Sequence, residues 1–248
     1  MEAIKLKDIG TRAPEGVNKE ETIRETEKII KDLDELQNLL FAESNHSVLV
    51  VLQGMDASGK DRTIRKVFGK LNPLGVKAYA FKAPTEVELA HDFLWRIHMV
   101  APAKGTMAVF NRSHYEDVLV TRVHGWCNDK LAMKRMNAIN EFENLLVDHS
   151  NATVLKFYLH VSHEEQLERL NERIKKPRKQ WKYNKQDFAE SDLWDAYMKY
   201  YEDVFEHCNK IPWTIIPADQ KWYKDYLVAR TVRDALEKLK LQYPGLKK

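Results

Sequence analysis

Hydrophobic positions recur along this chain with two distinct periods. From Lys19 to about Ala42, Ile23, Ile29, Ile30, Leu33, Leu36, Leu39 and Leu40 return at helical spacing, with charged residues between them. That pattern predicts an amphipathic helix with one buried face. Residues 1–17, with Gly10, Pro14 and Gly16, break both periods and read as an irregular arm. After the helix the pattern changes: Val48-Leu-Val-Val-Leu52 is an unbroken apolar run, as expected of a strand buried on both faces. Similar runs at Val76–Phe81, Thr106–Phe110, Ala152–Val161 and Trp213–Pro217 predict four more strands.

Helical patterns separate these strands. One follows Gly59 to about Leu71, and one starts at the capping box Thr85-x-x-Glu88 and runs through Phe93, Leu94 and Ile97. Others cover about Asp129 to Val147, the segment capped by Ser162-x-x-Glu165, and Tyr223 to about Leu241. Strands alternating with helices imply an α/β fold, a parallel five-stranded sheet with helices on both faces. In such sheets ligands gather at the carboxyl ends of the strands. All 248 residues fit one domain of this kind, with residues 1–44 forming the arm and first helix.

Composition narrows the class without deciding it. The net charge of +3 is too small to argue for nucleic acid, and Cys127 and Cys208 show no pairing logic, which suits a reducing cytosol. No apolar run approaches the roughly 20 residues that span a bilayer, and the first residues carry no signal-type apolar core. The expectation is a cytoplasmic protein with no membrane or nucleic-acid partner.

The chemistry begins where the first strand ends. Gly54-Met-Asp-Ala-Ser-Gly-Lys60 has the Gly-x4-Gly-Lys spacing of a phosphate-binding loop placed between a strand and a helix. The glycines let successive N–H groups point at phosphate oxygens, the helix offers its positive end to the same anion, and Lys60 supplies a mobile charge. Position 61 is Asp, where Ser or Thr usually holds magnesium. Asp56 is the natural replacement, because a hard cation prefers carboxylate oxygen. Gly54, Ala57, Ser58, Gly59, Asp61 and Arg62 complete the expected phosphate-binding loop.

Two further segments fit the same reading. Phe110-Asn-Arg-Ser-His-Tyr-Glu-Asp117 leaves an apolar strand and turns polar at once. Arg112 is placed to offset charge on a transferring phosphoryl group, Glu116 and Asp117 to hold magnesium or a substrate group, and His114 to contact phosphate. Arg169 and Arg173 lie one helical turn apart. From 173 to 185 the chain has seven basic residues and no acidic one, among them Arg178, Lys179 and Lys182, interleaved with Trp181 and Tyr183. This run is expected to form a basic helical lid over about residues 168–192, richer in cations than one triphosphate requires and suited to a longer polyanion. Arg122 is added to the expected phosphate-binding set. The histidines show no zinc-ligand spacing, and the tryptophans read mostly as packing residues, Trp181 excepted.

Together Gly54–Lys60, Phe110–Tyr115, Phe93-Leu-Trp-Arg96 and the basic lid resemble the polyphosphate kinase 2 family over about Leu39 to Tyr243. The resemblance implies a P-loop kinase fold and phosphoryl transfer between inorganic polyphosphate and nucleotides with Mg2+ or Mn2+. It implies that Asp56 and Lys60 are catalytic, that Arg112 is the arginine of the second motif, and that Arg173 and the following basic residues grip polyphosphate. Asn111 stands where a metal-binding aspartate is common, which shifts part of that duty to Glu116 or Asp117. The form Asn111-Arg-Ser-His-Tyr-Glu-Asp117 resembles the branch that accepts nucleoside monophosphates as well as diphosphates, implying AMP to ADP to ATP, with guanine nucleotides as further candidates and a homodimer or homotetramer as the assembly. Two alternatives stay open: a nucleoside monophosphate kinase driven by ATP, against which Asp61 argues, and a non-catalytic polyanion-binding module, against which the retention of Asp56 and Lys60 argues.

Overall fold

The computed structural model describes residues 4–246. Helix α1 (Lys19–Glu43) starts where the Asn18 side chain accepts the Glu20 and Glu21 N–H groups and ends at Ser44 in the left-handed conformation. It leads into β1 (Ser47–Gln53), in which every residue is buried. Because successive side chains of a strand point to opposite faces, a fully buried strand requires layers on both sides of the sheet. Each fully buried Val or Leu there contributes about 1.5–3 kcal/mol.

After the loop at 54–59 comes the short helix α2 (Lys60–Thr63), which widens into a π-turn over Ile64–Phe68. Then follow β2 (Val76–Ala80), α3 (Glu86–Leu89), α4 (Trp95–His98) and β3 (Met107–Asn111). A 3-10 turn at His114–Val118 and α5 (Val120–Val123) precede the long α6 (Asp129–Ser150) and β4 (Ala152–His160). The chain continues through α7 (His163–Lys175), α8 (Pro177–Gln180), α9 (Gln186–Asp192) and α10 (Trp194–His207) to β5 (Trp213–Pro217) and α11 (Lys221–Lys238).

All four strand pairings are parallel and the order across the sheet is β2-β3-β1-β4-β5. The first strand in sequence is therefore the central one. Leu52 pairs with Asn111, and Gln53 with Tyr158, so β1 and β3 end side by side while β4 runs on to His160. This α/β architecture, with helices on both faces and a phosphate loop after the central strand, is a P-loop kinase fold.

Several expectations needed correction. The helix expected from Glu86 through Ile97 is broken into α3 and α4, because Asp92 accepts the Leu94 N–H in a local turn that interrupts the helical ladder. The helix after Gly59 stops at Phe68 rather than Leu71. Helix α10 was not anticipated, although Tyr197, Tyr201, Val204 and Phe205 form its buried stripe. The N-terminal arm is irregular apart from one 3-10 turn at Leu6–Asp8, yet it is pinned: Thr11 donates to Asp219, and the Leu6 and Ile9 carbonyls meet the His160 ring. Of the six tryptophans only Trp213 is buried, and Trp126 is as open as Trp181, at 72% and 78% exposed.

Candidate active site

The loop after β1 folds tightly because Gly54 and Gly59 take φ values of +144° and +102°. A side chain at 54 would meet the Leu159 carbonyl at 2.8 Å, so β4 packs against the loop too closely for any other residue. Lys60 is buried, and its Nζ donates to the Gly54 and Met55 carbonyls at 2.6 and 3.1 Å. Burial, and then repulsion from Arg112, lowers its pKa to about 8, with Asp56 and Glu116 acting the other way.

Level with this loop, β3 delivers the second motif. Arg112 has φ +62°, an uncommon conformation for a residue with a side chain. Its backbone N–H bonds the Leu52 carbonyl at 3.1 Å, and Gln53 donates to the Ser113 hydroxyl at 3.1 Å. The Arg112 guanidinium then donates to Asp56 at 2.5 Å and lies 4.0 Å from Glu116. Burial opposes ionisation of Asp56, but Arg112 and then Lys60 hold its carboxyl below the usual range. Arg112 itself, in spite of burial, is held more firmly protonated by Glu116 and Asp56.

Two cavities meet at this ion pair. The larger, about 840 Å³, is lined by Asp56, Lys60, Asp61, Arg62, Arg65, Asn111 and Arg112, and on the lid side by Arg169, Arg173, Arg178, Lys179, Trp181, Lys182 and Lys221. The smaller, about 170 Å³, is walled by Asp56, Arg112, Glu116, Asp187, Glu190, Tyr197 and Tyr201. One is strongly cationic and the other acidic and phenolic, so the wall between them divides two sites of different chemistry.

A model of polyphosphate kinase 2 matches residues 16–244. The chain belongs to the polyphosphate kinase 2 family. It is 49% identical over 214 residues to the AMP/ADP-polyphosphate phosphotransferase of Meiothermus ruber, covering 86% of this chain and 80% of that protein. It is 39% identical over 230 residues to the ADP-polyphosphate phosphotransferase of Rhodopseudomonas palustris, covering 87% and 79%. The solved polyphosphate kinase 2 of Arthrobacter aurescens TC1 superposes with a TM-score of 0.96 at 39% identity, covering 100% of this chain and 90% of that one.

In this polyphosphate kinase 2 chain the structure brings most of the expected residues together, but not all. Arg122 is buried away from both cavities, donating to Asp129 at 2.7 Å and Asp203 at 2.9 Å with its guanidinium over the Tyr200 ring. Asp117 turns toward Arg96, 3.9 Å away, and lines neither cavity; burial is the main cause that raises its pKa to about 6. His114, expected at phosphate, is fully buried against Glu143 at 3.4 Å.

Other residues serve ends not foreseen. Arg169 lines the cavity but its donors are already taken: Nε by Glu165 at 2.7 Å, and the others by the Ala57 and Ser58 carbonyls at 3.0 and 3.1 Å and those of Ala218 and Asp219 at 2.7 and 2.8 Å. Asp61 accepts from Asn111 at 2.7 Å and from Lys182 at 2.5 Å, joining loop, second motif and lid. The lid cations draw partners from outside their own run, Arg173 from Asp187 and Lys179 from Glu172.

Behind the second motif lies a buried cluster that sequence reasoning missed. Lys156 on β4 donates to Glu143 at 2.7 Å and to the Tyr115 hydroxyl and Cys208 carbonyl at 2.9 Å each; Tyr115 in turn donates to Glu143 at 2.7 Å. No local spacing links 115, 143 and 156, so only the fold reveals it. Lys221, Arg65 and Lys224 at the loop were missed for the same reason. The Lys224 ammonium is buried beneath the loop, and burial chiefly lowers its pKa to about 7.

Among the described residues no group of three or more His, Cys, Asp or Glu side chains converges as a metal cage. A Mg2+ ion needs none, since it keeps several waters and uses one or two carboxylates with substrate phosphates. The hard carboxylate oxygens of Asp56 and, across Arg112, Glu116 fit such an ion. No described helix is long and apolar enough to cross a membrane.

Proposed function

We propose that this chain transfers phosphoryl groups reversibly between inorganic polyphosphate and adenine nucleotides, taking AMP to ADP and ADP to ATP, with Mg2+ or Mn2+. The observation that carries the reading is the meeting of a large cationic cavity and a small acidic one at the Asp56–Arg112 pair. Polyphosphate lies in the larger cavity, along Arg178, Lys179 and Lys182, with its terminal group in the loop at Lys60. The acceptor's phosphate meets it at Arg112, and Glu116 faces the acceptor side. AMP/ADP use by the Meiothermus ruber relative supports the pair of acceptors; guanine nucleotides are further acceptors to test.

Two polyanions repel each other, and the chemistry consists largely of overcoming that repulsion in the right alignment. Lys60, Arg112 and the lid cations offset the charge, while the loop N–H groups fix the transferring group in line with the incoming oxygen. A phosphate oxygen of the acceptor is already a competent nucleophile, so no strong general base is required. A divalent ion held by Asp56, with Glu116 and Asn111 as further oxygen donors, would neutralise the phosphates as they approach. The reading also includes a cytosolic homo-oligomer with no nucleic-acid partner.

The test mixes purified protein with long-chain polyphosphate, Mg2+ and AMP, ADP or GDP separately, and separates the nucleotides by chromatography. ADP and ATP formed from AMP with no ATP supplied is the expected result. Silence with polyphosphate, but transfer from ATP to a monophosphate, would replace polyphosphate as the donor. Glu116→Asn is expected to lower turnover with AMP more than with ADP; equal losses would remove Glu116 from acceptor selection.

A further inference from the structure

The phosphate loop can present its N–H groups to the cavity only if the carbonyls of the same peptide planes turn the other way. Those carbonyls are buried and must be paired. In this chain the rear of the loop is held by side chains from two distant helices. Gln166 on α7 donates to the Asp56 carbonyl at 3.1 Å, and Arg169 on α7 takes those of Ala57 and Ser58. Lys224, in the first turn of α11, donates to Gly59 at 3.0 Å and Ser58 at 3.4 Å.

Lys224 is the least expected of the three. It is fully buried, and a charged group in such a place persists only where it is paired. Its neighbour Asp225 lies 3.9 Å from its ammonium. Asp225 also accepts from Thr63 at 3.1 Å and pairs with Arg62 at 3.3 Å, so two consecutive residues of α11 fasten both the loop and the helix it opens. The contact is close: a Cβ on Gly59 would stand 2.2 Å from the Lys224 Nζ and push the ammonium off the loop. The second loop glycine is required by its φ of +102°.

We propose that Lys224 is a positioning residue of the reaction: from behind the loop it holds the Ser58 and Gly59 carbonyls turned away, and so aims the loop's N–H groups at the transferring phosphoryl group. The inference rests on the phosphoryl-transfer reading above and adds a residue that never touches substrate. Polyphosphate is gripped mainly by the lid cations, so loss of Lys224 leaves that grip intact and degrades alignment. The effect therefore falls on kcat rather than on the KM for polyphosphate.

Lys224→Met, which keeps the side chain's length and packing, tests this in the polyphosphate and ADP assay beside the wild-type protein. Wild-type silence would count against the phosphoryl-transfer reading itself, whereas the ratio of variant to wild type addresses Lys224. The expected result is a fall in kcat of about tenfold or more, a size typical of small misplacements at a reacting centre, with the KM for polyphosphate within threefold. Val228→Ala, a buried apolar truncation one turn further along α11, is the control, expected to lower the melting temperature while keeping kcat within threefold. Equal kcat losses in both variants, an unchanged kcat in Lys224→Met, or a raised KM with kcat intact would each overturn the proposal. If Lys224→Met does not fold, Lys224→Gln decides: it retains a donor and is expected to keep kcat within threefold, and a loss beyond tenfold in folded protein would refute the hydrogen-bonding role.

Discussion

Arg112 donates to the Asp56 carboxylate at 2.5 Å, and this bond ties the loop after β1 to the loop after β3 on the wall shared by the two cavities. Asp56→Ala and Arg112→Ala are each expected to lower kcat by about 10²-fold or more, a typical loss when preorganised charge is removed. Because the two act as one unit, the double variant should lose much less than the product of the single losses. Steady-state rates of the four proteins check this; fully multiplicative losses would show that the residues act independently.

Lys60 gives the pH dependence a definite sign. Its pKa in the free protein, lowered to about 8 chiefly by burial, means that the charge is complete below pH 7 and is lost as pH rises through 8. Since kcat/KM reports ionisations of the free enzyme, kcat/KM for polyphosphate is expected to fall about tenfold per pH unit above that point. Bound polyanion favours the protonated amine, so kcat should fall at higher pH than kcat/KM does. Lys60→Ala is expected to lose at least about 10²-fold in kcat and to abolish this limb of the profile.

The two groups of cations outside the loop should separate cleanly. Arg122→Ala removes a residue shared by Asp129 and Asp203 and is expected to lower the melting temperature while leaving the KM for polyphosphate within about twofold. Lys182→Ala and Arg178→Ala should do the reverse, raising KM and flattening its dependence on salt, because exposed charges act through a screened field. Thermal melts and KM values at two ionic strengths distinguish these outcomes.

Lys156 and Glu143 form an ion pair with almost no exposure, 2.7 Å apart beneath the second motif. Lys156→Met leaves Glu143 buried without its counter-charge and is expected to cost about 3–5 kcal/mol of stability. Replacing both, as Lys156→Met with Glu143→Leu, should recover a large part of that loss. Urea denaturation of the three proteins measures it.

How much of this was readable in advance follows from the range of each interaction. The loop at 54–60 and the segment at 110–117 are contiguous, so their residue order alone announces a strand end and a phosphate site, and β1 declares its burial by an unbroken apolar run. The lid's cations were equally plain. Their partners were not: Asp61 reaches Lys182 across 121 positions, and Glu143 reaches Tyr115 across 28. Arg122 and Arg169 look alike as basic residues, yet one is consumed by two carboxylates and the other by four carbonyls and the Glu165 carboxylate. Asp117 sits beside Glu116 in sequence, but the 3-10 turn directs it toward Arg96 instead. Helix α10 went unseen because its buried stripe is mostly aromatic, with Val204 its one aliphatic residue.

The lid offers Arg178, Lys179 and Lys182 as ammonium and guanidinium groups on long side chains rather than as a shaped mould. A phosphate chain presents the same unit at every step, so one such cation meets an equivalent oxygen whichever unit stands beneath it. On the proposed reading, such a grip has no preferred register. After each transfer the shortened chain can advance by one unit, exchanging every contact for an identical one, without leaving the protein.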